Sequence, residues 1–259
     1  MRSVTTTYPS APSAQGNRNF SSARIAGEMS EVEEIRFAVE PAGVVPVEVP
    51  ALLVRPAKAR WLLVLAHGAG AGMTHPFLGA LAEELAAAGV ATFRYQFPYM
   101  EQRRRVPDSP ALLTATVAAA VRAAAKAAPR LPVLAGGKSM GGRMTSQAAA
   151  QRLLERVRGL VFFGFPLHPP KRPGTKRADH LTSVEVPMLF LQGTRDPLAD
   201  LSLLRPIADN LGAQATLHII DTADHSFHVL KSSGRTDTDV LRELAQTTAA
   251  WADKVAPGF

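Results

Sequence analysis

The chain has 259 residues, no cysteine and a formal net charge of +7 at pH 7. Its length suits one large domain, and the lack of cysteine excludes disulfides, a thiolate nucleophile and a cysteine-ligated zinc site. The positive charge raises the question of nucleic acid, but two small basic clusters lack interleaved aromatic residues and match no nucleic-acid module. They are Arg103–Arg105 and the group Lys171, Arg172, Lys176 and Arg177. We interpret them as solvated loops and expect no nucleic-acid partner.

Residues 1–28 are rich in Ser, Thr, Ala, Pro and Asn and show no hydrophobic period. We predict a disordered tail there, followed by a single domain over residues 29–259. Met29 precedes the first patterned segment, and one hypothesis is that translation starts at this residue. No apolar run is long enough to span a bilayer, and the tail lacks the apolar core of a secretory signal. These features predict a soluble, cytoplasmic protein with no membrane contact.

From residue 31 the hydrophobic pattern becomes regular. Val32–Glu40 and Val44–Val54 predict an antiparallel hairpin with a turn at residues 41–43. Short apolar runs typical of strands buried on both faces follow, with helix-length segments between most of them. The predicted strands are Trp61–Ala66, Val90–Arg94, Leu131–Ala135, Leu160–Phe163, Met188–Gln192 and Thr216–Ile220. The predicted helices are Pro76–Ala88, Ala111–Ala127, Met140–Arg156, Asp200–Leu211 and Thr236–Lys254.

This alternation of strands and helices predicts an α/β fold with a mainly parallel, twisted sheet and helices on both faces. Ligands of such sheets bind beyond the carboxyl ends of the strands, so the loops there are candidate sites. One of them, His67–Gly72, is rich in glycine and lets backbone N–H groups approach a ligand closely. It does not fit the dinucleotide fingerprint, and residues 136–143 lack the ending of a P-loop. Nucleotide binding is therefore a distant alternative.

A Gly-Lys-Ser-Met-Gly run fits the G-x-S-x-G pattern of a nucleophile elbow, with a predicted strand before it and a predicted helix after it. Its serine, Ser139, would adopt a strained backbone conformation, and a Cβ at Gly137 or Gly141 would collide with the neighbouring strand or helix. Gly142 would permit close packing of helix and strand. Ser139 is therefore the candidate nucleophile, against the alternative of a plain loop with an incidental serine. The pattern assigns no role to Lys138.

A serine nucleophile needs a base, and the base needs an orienting carboxylate. Asp196 and His225 follow two later predicted strands, so serine, aspartate and histidine occur in the order expected of α/β-hydrolases. Asp200 fits a helix N-cap instead, while Asp221 and Asp224 fit turn formers or supports of the histidine loop. The other histidines lie within a strand, three residues beyond His225 or earlier in the chain. They are His67, His75, His168, His180, His218 and His228.

Acyl transfer also requires donors where negative charge develops on the substrate oxygen. The backbone N–H of Met140, next to the nucleophile and at a helix N-terminus, is one candidate for this oxyanion hole. The second donor is expected in the glycine-rich loop, at Ala69 or Gly68. We interpret His67 as a brace of this loop through hydrogen bonds, in preference to a catalytic role.

The patterned region, roughly residues 31–255, resembles the α/β-hydrolase superfamily near its dienelactone-hydrolase-like branch. More narrowly, it is similar to bacterial α/β-hydrolases related to the human testis-expressed hydrolase-like protein and to a non-catalytic subunit of a histone acetyltransferase complex. The segments that carry this resemblance are LAHGA at 65–69, FRYQFPY at 93–99, GKSMGGR at 137–143, GFPLHPP at 164–170 and ADHSF at 223–227.

The resemblance implies the α/β-hydrolase fold and places nucleophile, acid and base on Ser139, Asp196 and His225. It implies no cofactor, and no metal site is predicted. Dienelactone hydrolases proper use a cysteine nucleophile, so the serine here argues against dienelactone cleavage. The predicted function is therefore a serine hydrolase of carboxylic esters or related acyl bonds. The alternative is a catalytically silent scaffold that binds a protein partner.

No insertion between the predicted elements is long enough for a helical cap domain, so only loops should cover the site. We expect a small-molecule acyl substrate in a fairly open pocket shaped by the two loops after the second and fourth predicted parallel strands. The candidate pocket residues are His67, Phe97, Tyr99, Phe165 and His168. The sequence leaves the oligomeric state open.

Overall fold

The computed structural model of the protein describes residues 31–40 and 45–255. The predicted tail, the start hypothesis at Met29 and the turn at 41–43 lie outside the described residues. The strands are β1 (Val32–Val39), β2 (Val47–Val54), β3 (Trp61–Ala66), β4 (Val90–Tyr95), β5 (Val133–Lys138), β6 (Val157–Phe163), β7 (Met188–Gly193) and β8 (Ala215–Ile220). The α-helices are α1 (Pro76–Ala87), α2 (Pro98–Glu101), α3 (Pro110–Ala127), α4 (Met140–Ala150), α5 (Leu201–Leu211) and α6 (Asp237–Val255). Short 3₁₀ helices cover Lys176–Ser183, Gly212–Gln214 and Lys231–Ser233.

The eight strands form one sheet in the order β1-β2-β4-β3-β5-β6-β7-β8. The hairpin β1–β2 is antiparallel and joins β4 in antiparallel pairing, whereas all the other neighbours are parallel. Parallel neighbours need crossover connections, and the helices supply them on both faces of the sheet. This architecture confirms the predicted mainly parallel sheet with an N-terminal hairpin.

The core lies in two layers, one on each face of the sheet. Successive residues of β3 alternate between them, with Leu62 and Val64 in one layer and Leu63 and Leu65 in the other. Helices α1 and α6 cover the second layer, while α3 and α4 cover the first. Strands buried on both faces carry apolar side chains at most positions, which is why they appear in the sequence as nearly continuous apolar runs.

Helix α4 ends at Ala150, so the predicted helix over residues 140–156 was too long. After it the chain turns through Arg152 and Arg156, whose φ angles are +59° and +61°, and enters β6 at Val157. The helix-favouring residues after Ala150 do not continue the helix because the chain has to return to the sheet. Tertiary context overrides local propensity here.

Strand β5 covers Val133–Lys138 and so reaches the residue before Ser139, whereas the prediction ended it at Ala135. The three additional pairs join Gly136 to Val161, Gly137 to Phe162 and Lys138 to Phe163 of β6. Glycine is unfavourable in strands, but it is favoured where backbones approach closely, and the nearest neighbour of each glycine is a backbone carbonyl oxygen.

The connections between elements hold no separate cap domain within residues 31–40 and 45–255. The connection from β6 to β7 contains a single 3₁₀ helix, Lys176–Ser183, which the sequence did not predict. In the same described part of the chain, no helix is both long and apolar enough to cross a membrane.

Candidate active site

Ser139 lies at the sharp turn between β5 and α4, with φ 52° and ψ −118°. Such a conformation costs a non-glycine residue about 1–3 kcal/mol and persists only where the surroundings enforce it. The flanking glycines allow this enforcement. A Cβ at Gly137 would lie 2.6 Å from the carbonyl oxygen of Ala66, and a Cβ at Gly141 would lie 2.5 Å from that of His67. The serine side chain is thereby presented at the carboxyl edge of the sheet.

Three predicted site residues meet in an unbroken chain of hydrogen bonds. Ser139 Oγ lies 2.9 Å from His225 Nε2, and His225 Nδ1 lies 2.7 Å from Asp196 Oδ2. The aspartate follows β7 and the histidine follows β8, so neighbouring parallel strands bring both to the edge where Ser139 sits. The histidine side chain is 21% exposed and the aspartate side chain 0%. This arrangement can pass a proton from the serine hydroxyl to the imidazole.

The buried carboxylate of Asp196 is fully supplied with donors. Its Oδ2 accepts a hydrogen bond from Gln192 Nε2 at 2.5 Å, and its Oδ1 accepts one from the backbone N–H of Leu198 at 2.8 Å. The amide oxygen of Gln192 in turn accepts from the N–H of Phe165 at 2.9 Å. These bonds fix the carboxylate that orients His225. Gln192 was not predicted from the sequence, although a polar residue near the end of an apolar strand is a usable signal.

The other candidate acids have structural partners of their own. Asp224 Oδ1 accepts hydrogen bonds from the N–H groups of Ser226 and His228, at 2.7 and 3.0 Å, and so shapes the histidine loop. Asp200 caps α5, and the side-chain and backbone hydrogen bonds from Ser202 lower the pKa of its carboxyl. Both carboxylates occupy the positions that the sequence predicted for a loop support and a helix cap.

The two segments that carry the predicted oxyanion donors, the glycine-rich loop and the start of α4, border Ser139. A Cβ on Gly68 would lie 3.7 Å from the Ser139 Cβ, so the glycine-rich loop packs directly against the serine. Within the described chain, the N–H of Ala69 donates no hydrogen bond. Met140 is the first residue of α4, where N–H groups have no partner in the helix and the helix dipole favours negative charge.

His67 is buried beneath this loop and bonded on both ring nitrogens. Its Nδ1 donates to the carbonyl oxygen of Gly68 at 2.8 Å, and its Nε2 accepts from the N–H of Phe97 at 3.1 Å. Burial lowers the pKa of His67 to about 4, which keeps the ring neutral and able to accept on Nε2. The ring therefore ties the glycine-rich loop to the end of β4, as expected of a brace.

The prediction that Phe97, Tyr99 and Phe165 line a substrate pocket was wrong. All three rings have no exposed surface and belong to the larger core layer. They pack beneath the site because the segments after β4 and β6 close the top of the core. His168 is also buried, and its Nε2 accepts from the N–H of Asp200 at 3.1 Å. This bond links the loop after β6 to the start of α5.

A second serine–histidine pair joins Ser146 and His180, whose Oγ and Nε2 lie 2.7 Å apart. Ser146 is buried within α4 and donates its hydroxyl proton to the carbonyl oxygen of Arg143 at 2.9 Å, so the ring N–H must donate to the serine. Burial and the nearby Arg143 lower the pKa of His180. No carboxylate of the described chain bonds to this ring. The pair therefore ties α4 to the 3₁₀ helix.

Cleft size does not identify the site. Two clefts of about 340 and 450 Å³ lie beside α5, and neither contains Ser139, Asp196 or His225. The serine and histidine are instead partly exposed at the rim of the sheet. We therefore locate the site by its hydrogen-bond geometry, which bears directly on chemistry.

An eight-stranded, mainly parallel sheet with an elbow serine after β5, an aspartate after β7 and a histidine after β8 defines an α/β hydrolase by its fold. The chain belongs to the alpha/beta hydrolase domain family, whose sequence pattern matches residues 59–253.

Several solved structures share this fold. The dienelactone hydrolase of Anabaena variabilis is 24% identical, with a TM-score of 0.65 over 85% of this chain and 96% of that one. An alpha-beta serine hydrolase homologue from Coxiella burnetii is 18% identical, with a TM-score of 0.66 over 86% and 99%. A serine hydrolase without a lid from Xanthomonas campestris is 18% identical, with a TM-score of 0.65 over 88% and 97%. These similarities and the family confirm the predicted fold class.

Proposed function

We propose that the protein is a serine hydrolase that cleaves carboxylic esters or related acyl bonds through an acyl-enzyme. The observation that carries this proposal is the hydrogen-bond chain from Ser139 Oγ through His225 to Asp196. The similar structures include proteins named as a dienelactone hydrolase and as serine hydrolases, which supports hydrolytic chemistry at this edge of the sheet.

In the proposed reaction, His225 Nε2 takes the Ser139 proton while the serine oxygen attacks the acyl carbon. The carbonyl oxygen becomes an oxyanion, which accepts hydrogen bonds from the N–H groups of Met140 and Ala69. The imidazolium then gives its proton to the leaving alkoxide, and the alcohol departs. Water, deprotonated by the same imidazole, attacks the acyl-enzyme and releases the carboxylic acid. Asp196 holds the Nδ1–H tautomer throughout and stabilises the transient imidazolium.

The exposed basic residues are interpreted as solvated surface in this proposal, with no nucleic-acid partner. Arg104 forms an ion pair with Asp108, which also accepts a hydrogen bond from the N–H of Tyr99 at 2.9 Å. The charge of Arg104 therefore stabilises its own loop. The narrower resemblance to the testis-expressed hydrolase-like group stays a prediction, as do a small-molecule substrate and a cytoplasmic location.

A fluorophosphonate probe tests the proposal because it forms a covalent adduct with an activated serine. We expect the native protein to be labelled and the heat-denatured protein to remain unlabelled. Peptide mass spectrometry should place the adduct on Ser139. Absence of labelling under conditions that label a control esterase would contradict the proposal and favour the silent scaffold. An adduct on Ser146 would instead move the nucleophile to the second serine–histidine pair.

Replacement of Asp196 by asparagine should lower ester turnover by about 10⁴-fold, as loss of the orienting acid does in other serine hydrolases. The amide would bond to the wrong tautomer of His225 and could not balance the imidazolium charge. Turnover is measured on a panel of short-chain nitrophenyl esters and thioesters.

Asp221→Asn is the matched control, since Asp221 is exposed and accepts a hydrogen bond from Thr194 Oγ1 at 3.4 Å. We expect it to keep turnover within about twofold, because its carboxylate is exposed and bonds to Thr194, outside the chain from Ser139 to Asp196. A loss in the control as large as in Asp196→Asn would reject Asp196 as the acid.

A further inference from the structure

Lys138 precedes Ser139 and is the residue of the elbow motif to which the proposed reaction gives no role. Its backbone pairs with Phe163 of β6, and its Cγ would lie 3.9 Å from a Cβ on Gly68. Its ammonium Nζ lies 5.5 Å from the centre of the Phe227 ring, which belongs to the core layer beneath α1 and α6. The side chain is only partly exposed. Lys138 therefore places a positive charge at the top of an apolar layer, behind the histidine loop.

The position of this ammonium is defined by Gly164, the residue after β6, which has a φ of +71°. A Cβ built on Gly164 would lie 3.3 Å from Lys138 Nζ, 3.4 Å from His225 Nδ1 and 3.5 Å from Asp196 Oδ2. The three atoms therefore surround one point, and a side chain there would displace the charges. The ammonium lies beside the hydrogen bond between His225 and Asp196.

Within the described residues, the Lys138 ammonium forms no hydrogen bond and no ion pair closer than 4 Å. Burial lowers the pKa of Lys138 to about 8, while the charges of Asp196 and Asp224 act in the opposite direction. The lysine is therefore mainly protonated below about pH 8.

On this geometry, and resting on the proposed function, we propose that Lys138 is a positioning residue whose charge keeps His225 neutral, and so active as a base, in mildly acidic solution. An imidazolium on His225 would meet a like charge at most about 7 Å away, which disfavours protonation of the ring. Asp196 acts in the opposite sense because its carboxylate favours the imidazolium. The lysine balances the acid without a direct bond to it.

The other charged groups around the loop have separate partners. The exposed Arg195 donates to the carbonyl oxygen of Thr222 at 3.2 Å. His228 pairs with Asp237 at 2.6 Å, and both residues are exposed. Asp224 is bonded to backbone N–H groups of its own loop. At the start of α1, His75 is an exposed N-cap whose Nδ1 accepts from the N–H of Phe77.

The test compares Lys138→Met, which keeps most of the length of the side chain and removes the charge, with Lys138→Arg, which keeps the charge. The rate of fluorophosphonate labelling is measured from pH 5 to 9. We expect the acidic limb of the Lys138→Met profile to move to higher pH by about one unit, while the Lys138→Arg limb stays near that of the wild type. At pH values below both limbs, Lys138→Met should react up to about tenfold more slowly. Lys126→Met, on the exposed side of α3, is the matched control.

A second measurement does not depend on reactivity: the titration of the His225 ring, followed by NMR in the unreacted protein. Its midpoint should rise in Lys138→Met and stay in Lys138→Arg, so failure of labelling in the wild type would affect the proposed function alone. Lys138→Gln replaces Lys138→Met if thermal unfolding shows that the latter does not fold. If Lys138→Met lost rate equally at all pH values and the His225 midpoint stayed unchanged in both variants, Lys138 would have only a packing role. A loss confined to KM for anionic esters would make it a substrate contact; either result overturns the proposal.

Discussion

Ser139→Ala is expected to lower ester turnover by about 10⁶-fold, the effect of removing the nucleophile from a triad that acts as a unit. The loss should appear in kcat, because the serine hydroxyl forms and breaks the covalent bond and contributes little to binding the ester. The strained turn at residue 139 is retained in the variant, since its φ of 52° is imposed by the backbone around it. Turnover of nitrophenyl esters and covalent labelling are the two measurements.

Ser146→Ala is the matched control because it removes the other serine that is bonded to a histidine. It should keep turnover near that of the wild type and lower stability by about 1 kcal/mol, since it removes the hydrogen bond to the partly buried ring of His180. A control that loses turnover as completely as Ser139→Ala would place the nucleophile in α4 and reject the proposed site.

The serine–histidine–aspartate arrangement could be predicted from the sequence because its geometry follows from topology. In a mainly parallel sheet, residues just beyond strand ends gather at one edge, so Ser139, Asp196 and His225 were identifiable by their places after three strands. The two glycines of the elbow were identifiable for a similar reason. The serine turn leaves no room for a Cβ at these two positions, and the turn is specified by the local motif.

The residues that the sequence did not reveal depend on contacts between distant segments. Phe97 and Phe165 follow strand ends, as site residues do. They are nevertheless part of the core, because the loops after β4 and β6 fold over it. Gln192 matters because it donates to Asp196, and Gly164 matters because it lies against the Lys138 ammonium. No local sequence pattern predicts either contact. The early end of α4 has the same origin, because the position of β6 overrides the helix-favouring residues after Ala150.

Strands β5 and β6 approach each other closely at Gly136, and a substitution there is expected to have the largest effect on stability. Gly136 of β5 pairs with Val161 of β6, and a Cβ on Gly136 would lie 2.0 Å from the Val161 carbonyl oxygen and 2.9 Å from its carbonyl carbon. A backbone neighbour in the middle of a sheet cannot rotate away as a side chain can. The strands would have to separate, and the register that delivers Ser139 to the edge of the sheet would change with them.

We therefore expect Gly136→Ala to lower the free energy of unfolding by about 3 kcal/mol or more, at the upper end of the cost of overpacking. For a chain of this length this corresponds to a melting temperature roughly 10 °C lower, measured by calorimetry and by urea unfolding. Gly174→Ala is the control, since a Cβ there meets no atom within 4 Å and its φ is not in the left-handed region. Alanine at this exposed position should be neutral or slightly stabilising, because it restricts the unfolded chain. Equal stability of the two variants would show that β5 and β6 do not require glycine at their closest approach.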